Sequence, residues 1–222
     1  MIKGALFDMD GTLASTIQYW KEIIPNYIRS FGYDVDESVV GSKIHAMSMK
    51  DSATFVCEYY HLDVTPDDVL KSWSAAANRI YTDVATLKEG AYDFVMRLHD
   101  AGIPMVLVTN NEKALADALL TRTGIRHCFK DLYCGFDLGL GKTEPTLIEL
   151  ARKALGTAAD DTWMFEDSLG PITTANRIGI HTIAMLDHEH DADEVAAICK
   201  EAEVVCNNYD DANAWYDSMI AQ

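Results

Sequence analysis

Short apolar runs that each end on a polar residue, separated by stretches of helical periodicity, constrain this chain more than any other feature. Ile2 to Phe7 is such a run, and Asp8 follows it. Pro104 to Val108 ends at Thr109, and Thr162 to Phe165 ends at Glu166-Asp167. His181 to Met185 is another, with Leu132 to Cys134 and Val204-Val205 as shorter candidates. A run that is apolar throughout suits a strand buried on both faces. Between these runs, helices are predicted over Gly90–Asp100, Glu112–Thr123, Glu144–Leu155, Leu169–Ile178, Asp191–Ala202 and Asp210–Ile220. Gly102, Gly124, Gly156 and Gly179 stand where four of them should stop. Strands alternating with helices imply a doubly wound (Rossmann-like) α/β core, a parallel sheet covered on both faces. Ligands of such sheets bind beyond the carboxyl ends of the strands. Asp8, Thr109, Glu166 and Asp167 all fall at such ends.

One block breaks the alternation. From Thr16 to about Tyr81 the apolar residues recur only at helical spacing: Trp20, Ile23, Ile24, Tyr27 and Ile28, then Phe55, Val56, Tyr59 and Tyr60, then Val69, Trp73, Ala76 and Ile80. Thr65-Pro66-Asp67-Asp68 reads as an N-cap, a first-turn proline and first-turn acids. The expected organisation is therefore an α/β core from residues 1–15 and 84–222, with an all-helical insertion at residues 16–83. The aromatics at helical spacing (Trp20, Tyr27, Tyr59, Tyr60 and Trp73) read as the core of that insertion.

Charge narrows the function. Eighteen Lys and Arg stand against 35 Asp and Glu, a formal net charge of -17. Such a surface repels nucleic acid and anionic lipid, and no basic cluster reverses it locally. An anionic substrate therefore needs a site with its own positive charge. No apolar run approaches the roughly 18 residues that span a bilayer, and the N-terminus lacks the pattern of a signal peptide. The five cysteines are odd in number and contain no CxxC pair, which argues for free thiols in a reducing cytoplasm and against zinc or a disulfide framework.

Asp8-Met9-Asp10-Gly11-Thr12 places two acids two residues apart after a buried strand, followed by a glycine that permits a tight turn. At this point the sequence resembles the haloacid dehalogenase superfamily, whose phosphatase branch opens with DxDGT. Val106-Leu107-Val108-Thr109-Asn110-Asn111 resembles the second motif of that family, a strand ending in Ser or Thr. Thr109 could equally cap the next helix. Gly141-Lys142-Thr143-Glu144-Pro145 is similar to the GKPxP segment, with Thr143 in place of the first proline. Phe165-Glu166-Asp167-Ser168 resembles the acidic EDS motif. The four stand in the family's order over essentially the whole chain.

The resemblance implies a magnesium-dependent phosphatase acting on a small phosphorylated metabolite such as a sugar phosphate or phosphoglycolate, with a β-phosphoglucomutase-like phosphomutase as the alternative. It implies Asp8 as nucleophile, Asp10 as general acid and base, and Lys142 as the neutralising cation. Thr109, Asn110 and Lys142 would bind phosphate. Mg2+ would be held by Asp8, the Asp10 backbone carbonyl and Asp167, with Glu166 at or near the metal. An acid at Asp10 argues against carbon–halogen or carbon–phosphorus cleavage. The helical insertion corresponds to the family's C1 cap, with Met47 to Ser52 a candidate specificity loop and Lys43, His45 and Lys50 its polar candidates. Ala14-Ser15-Thr16 replaces the Val-Asp-Ser or Val-Asp-Thr of close relatives, a missing acid that bears on how the cap entry is anchored or on which substrate fits. His188-Glu189-His190-Asp191 reads as a solvated acidic loop, with too few spaced ligands for a metal of its own. A cytoplasmic monomer or weak homodimer is expected.

Overall fold

The apolar runs become a six-stranded parallel sheet in the order β3-β2-β1-β4-β5-β6. The strands are β1 (Gly4–Phe7), β2 (Met105–Thr109), β3 (Phe129–Cys134), β4 (Thr162–Glu166), β5 (His181–Met185) and β6 (Val204–Cys206). This computed structural model describes residues 2–36, 39 and 49–221. Every residue of β1, β2 and β4 is buried, because these strands lie in the middle with helices on both faces. Strand β3 starts three residues earlier than the sequence implied. It is an edge strand, and Lys130 and Asp131 on it interrupt the apolar run that would have announced it.

The helices of this unit are α4 (Ala91–Asp100), α5 (Lys113–Arg122), the single turn α6 (Gly135–Leu138), α7 (Pro145–Leu155), α8 (Leu169–Arg177), α9 (Ala192–Glu201) and α10 (Tyr209–Ile220). Alternation along β1 divides the core. Leu6 joins Val106, Val108 and Met164 against Leu147, Ile148 and Ala151 of α7. Phe7 stacks on Phe165 at 4.3 Å between ring centroids and meets Phe94 of α4 edge-on at 6.4 Å. Pairing sets the height of the strand ends: Phe7 lies opposite both Leu107 and Phe165. Asp8 and Glu166, the next residues along, and Thr109, two beyond Leu107, therefore emerge at one edge of the sheet. The Asp8 N–H closes this register by donating to the Phe165 carbonyl at 2.9 Å.

The chain divides into two compact units, residues 1–16 with 85–222, and Ile17–Val84. The second is helical in its described residues: α1 (Ile17–Ser30), α2 (Met49–Tyr59), α3 (Pro66–Arg79) and a π-helical turn at Ile80–Val84. Helix α3 starts as the sequence implied. The Thr65 hydroxyl oxygen accepts the Asp68 N–H, and an Asp68 carboxylate oxygen accepts the Thr65 N–H, both at 3.2 Å. Val69, Trp73 and Ala77 form its buried stripe. Tyr60 and Trp73 are buried as expected, but Tyr59 is 43% exposed and its hydroxyl donates to Asp36 at 2.9 Å. Of the proposed specificity stretch, Lys43, His45, Met47 and Ser48 lie outside the described residues. Lys50 is exposed near the start of α2, and Ser52 is buried.

Candidate active site

The turn after β1 brings the two aspartates to the sheet edge. Gly11 takes a φ of 87°, which a side chain disfavours, and the Leu13 and Ala14 N–H groups return to the Met9 carbonyl at 3.0 and 2.9 Å. Asp8 is 3% exposed at the strand tip. Thr12 is fully buried; its hydroxyl donates to Asp167 Oδ1 at 3.4 Å, and its carbonyl accepts the Tyr209 hydroxyl of α10 at 3.1 Å. The loop is thus tied to the acidic motif and to the C-terminal helix.

Lys142 reaches this edge from the loop before α7. It is 5% exposed, and its ammonium donates to Asp8 Oδ1 and, at 2.7 Å, to Glu166 Oε2. Its own N–H donates to Asn110 Oδ1 at 3.0 Å, so the Asn110 side chain fixes the lysine segment. Gly135 is needed behind it, since a Cβ there would lie 2.3 Å from the Leu140 carbonyl oxygen. The second oxygen of Glu166 accepts the Ser168 N–H at 3.1 Å.

Electrostatics follow from this crowding. Burial pushes the Asp8 carboxyl from its ordinary 3.8 to about 7; Lys142 opposes the shift, and Asp167 and Asp10 add to it. Burial and the Asp8 charge likewise hold Glu166 well above the carboxylate range, against the pull of Lys142. Burial works against the Lys142 ammonium, but the Asp8 and Glu166 carboxylates outweigh it and raise its pKa above the ordinary lysine value.

A cation fits here on the structure's own terms. Asp8, Glu166 and Asp167 each present a carboxylate oxygen within 4.8 Å of the others, and all three are buried. Asp8 Oδ2 is buried with no hydrogen-bond partner, a costly state for a carboxylate that a metal would relieve. An all-oxygen donor set suits a hard ion such as Mg2+. Asp8 Oδ2 is the freest of these oxygens: Lys142 and the Ser168 N–H engage both oxygens of Glu166, and the Thr12 hydroxyl and His190 face those of Asp167.

The structure brings Asp8, Lys142, Glu166 and Asp167 together, sets Asn110 on the lysine segment, and adds partners that the sequence did not reveal. Asp10 Oδ1 accepts the hydroxyl of buried Thr16 at 2.7 Å, and Asp10 Oδ2 accepts the Asn111 amide at 3.2 Å. Thr16, which closes the divergent Ala14-Ser15-Thr16 stretch, thus orients Asp10. Thr109 does not cap the following helix, whose N-cap is Glu112; its hydroxyl oxygen accepts the Asn111 N–H at 3.1 Å. The acidic loop after β5 is a correction. His190 is not solvated: its ring is 11% exposed, and Nε2 lies 3.1 Å from Asp167 Oδ2. Hydrogen bonds to Asp167 and Glu194 raise its pKa to about 9, against the effect of burial. One signal could have found it. In a parallel sheet the loop after every strand opens on the same edge, so the segment after β5 was a candidate by topology. The cysteines take no part: all five are free thiols, and burial pushes Cys134 up to about 11 and Cys206 up to about 12.

Comparison with known proteins agrees with this geometry. A family model described as haloacid dehalogenase-like hydrolase matches residues 2–179. A validoxylamine A 7'-phosphate phosphatase of Streptomyces hygroscopicus subsp. limoneus is 28% identical, covering 92% of this chain and 93% of that protein. Fructose-1-phosphate phosphatase YqaB of Escherichia coli (strain K12) is 25% identical, covering 81% of this chain and 94% of its own. Among solved structures, a Thermotoga maritima protein assigned as a β-phosphoglucomutase superposes with a TM-score of 0.83 at 18% identity, covering 97% of this chain and 99% of that one, a likeness of fold. Among the described residues, no helix is long and apolar enough to cross a membrane. With its motifs converging on one sheet edge and a family model spanning most of its length, the chain belongs to the haloacid dehalogenase-like hydrolase family, as a phosphatase enzyme.

Proposed function

We propose that the chain hydrolyses a small phosphate monoester, of the sugar-phosphate or phosphoglycolate kind, through an aspartyl-phosphate on Asp8. The observation that carries this reading is the buried Asp8–Lys142–Glu166 arrangement beside Asp167, with one Asp8 oxygen unpartnered. A carboxylate oxygen of Asp8 attacks phosphorus as the bond to the leaving oxygen breaks. Asp10, oriented by Thr16 and Asn111, gives its proton to the departing alkoxide. The same carboxylate then takes a proton from water, whose oxygen attacks phosphorus and returns Asp8 and inorganic phosphate. Lys142 offsets the meeting of two anions. The Thr109 hydroxyl, already accepting the Asn111 N–H, has its own proton to donate to a phosphoryl oxygen, with Asn110 beside it. We assign Mg2+ to Asp8, Asp167 and the Asp10 carbonyl, with Glu166 at its margin; when bound, it neutralises charge on the phosphoryl oxygens. Choice of leaving group we assign to the helical insertion, residues 16–83, as the cap. Free thiols throughout support a reducing, cytoplasmic setting.

Hydrolysis is favoured over phosphomutase chemistry because the named relatives at 25–28% identity are phosphatases, whereas the mutase likeness is one of fold. The test is phosphate release from a panel of sugar phosphates, hexitol phosphates and phosphoglycolate with magnesium. Release from at least one is expected. A protein that releases none, yet interconverts hexose phosphates when primed with a bisphosphate, would establish the mutase instead.

Metal binding should depend on pH. The buried Asp8 carboxyl holds a proton that the unfolded chain releases, so in chelator its contribution to stability falls as pH rises from 3.8 to about 7. A cation must displace that proton, which makes binding weaker at pH 5.5 than at pH 8. The rise in Tm produced by MgCl2 is therefore expected to be larger at pH 8. Equal rises at both pH values would count against Asp8 as a ligand.

A further inference from the structure

We propose that His190 is a positioning residue of the cation site, holding the Asp167 carboxylate in the orientation at which it ligates the metal, and that Glu194 holds His190 in turn. The inference rests on the reading of Asp8 and Asp167 as ligands of a divalent cation. The His190 ring lies between two carboxylates, with Nε2 3.1 Å from Asp167 Oδ2 and Nδ1 2.8 Å from Glu194 Oε2. The tautomer with the proton on Nε2 donates to Asp167, while Nδ1 faces Glu194. Asp167 is then gripped on both sides, by His190 at Oδ2 and by the Thr12 hydroxyl at Oδ1. Carboxylates that ligate metals depend on such outer partners for their orientation.

The loop that delivers His190 is itself well built. Asp187 is buried and paired with Lys88 at 2.6 Å. Its Oδ1 accepts the Glu189 N–H at 2.9 Å, and its carbonyl accepts the His190 N–H at 3.2 Å. Asp191 caps α9 by accepting the Glu194 N–H at 2.9 Å, so the helix start does not require the histidine. Glu194, in the first turn of α9, sets its carboxylate against Nδ1 of the ring. The hydrogen bonding of this loop converges on one outcome, an imidazole presented to Asp167.

The test is calorimetric titration of the full chain with MnCl2 at pH 8, alongside thermal unfolding in chelator. His190→Ala is expected to bind Mn2+ about 10–100-fold more weakly than wild type. His190→Gln, whose amide can replace the Nε2 donor, is expected to recover most of that loss. A merely structural histidine would lower Tm without this recovery of affinity. Glu194→Ala changes a half-exposed helix residue, keeps the fold measurable if His190→Ala does not, and is expected to weaken binding at least threefold. Wild-type affinity in His190→Ala or Glu194→Ala, or a His190→Gln protein no better than His190→Ala, would overturn the proposal. A wild-type protein that binds no Mn2+ would instead overturn the cation-site reading, and this inference with it.

Discussion

Asp8→Asn is expected to abolish magnesium-dependent phosphate release, by at least about 10⁴-fold, the scale on which loss of a catalytic nucleophile acts. The side chain keeps its shape, and Lys142 keeps Glu166 as an ionic partner at 2.7 Å. The variant should therefore fold. In chelator at pH 8 it should be no less stable than wild type, because an amide replaces a carboxylate whose ionisation is opposed by burial and by Asp167 and Asp10. Loss of activity with an unchanged or raised Tm separates a chemical role from a structural one. A variant that still releases phosphate at a comparable rate would remove Asp8 from the nucleophile's place and end the aspartyl-phosphate mechanism.

Lys142→Met is expected to damage both stability and rate. The ammonium is the shared partner of two buried carboxylates, and removing one member of such a group costs about 3–5 kcal/mol. For a chain of this size that is roughly 10 °C in Tm. The deficit should grow with pH. Without the cation, Asp8 and Glu166 rise further above their unfolded values and retain protons in the folded state. Stability present at low pH is then lost as pH climbs through those raised values. Denaturant unfolding at pH 5 and pH 8 measures this, and phosphate release should fall about 10²–10³-fold through loss of charge stabilisation. A Lys142→Met protein as stable as wild type at pH 8 would contradict the buried ion-pair account.

Much of the site could be read from order along the chain. The central strands are continuous apolar runs because both their faces are covered, so the first polar residue after each marks the sheet edge where ligands bind. That logic picked out Asp8, Thr109, Glu166 and Asp167, and the resemblance added Lys142, whose loop has no strand to mark it. It failed at β3, where an edge position admits Lys130 and Asp131 and hides the strand. It failed again at Tyr59, whose helical spacing suggested burial although its ring lies 43% exposed.

The partners of the site residues were not legible because they join loops distant in sequence. Asn111 meets Asp10 across 101 residues, and Asn110 meets Lys142 across 32. Thr16 is close to Asp10 in sequence, but only the turn at Gly11 folds its hydroxyl back. His190 looked like one more charge on an acidic surface. Only the parallel neighbours β4 and β5, with their loops opening on the same edge, set it against Asp167. The sequence by itself determined the alternating architecture and the helical insertion, and pointed to the groups proposed to react, since these depend on local periodicity and on side-chain chemistry. The tertiary structure alone decided which neutral and basic groups orient those reactants and how far burial shifts their proton affinities, since both depend on what the sheet edge gathers and on how little water reaches it.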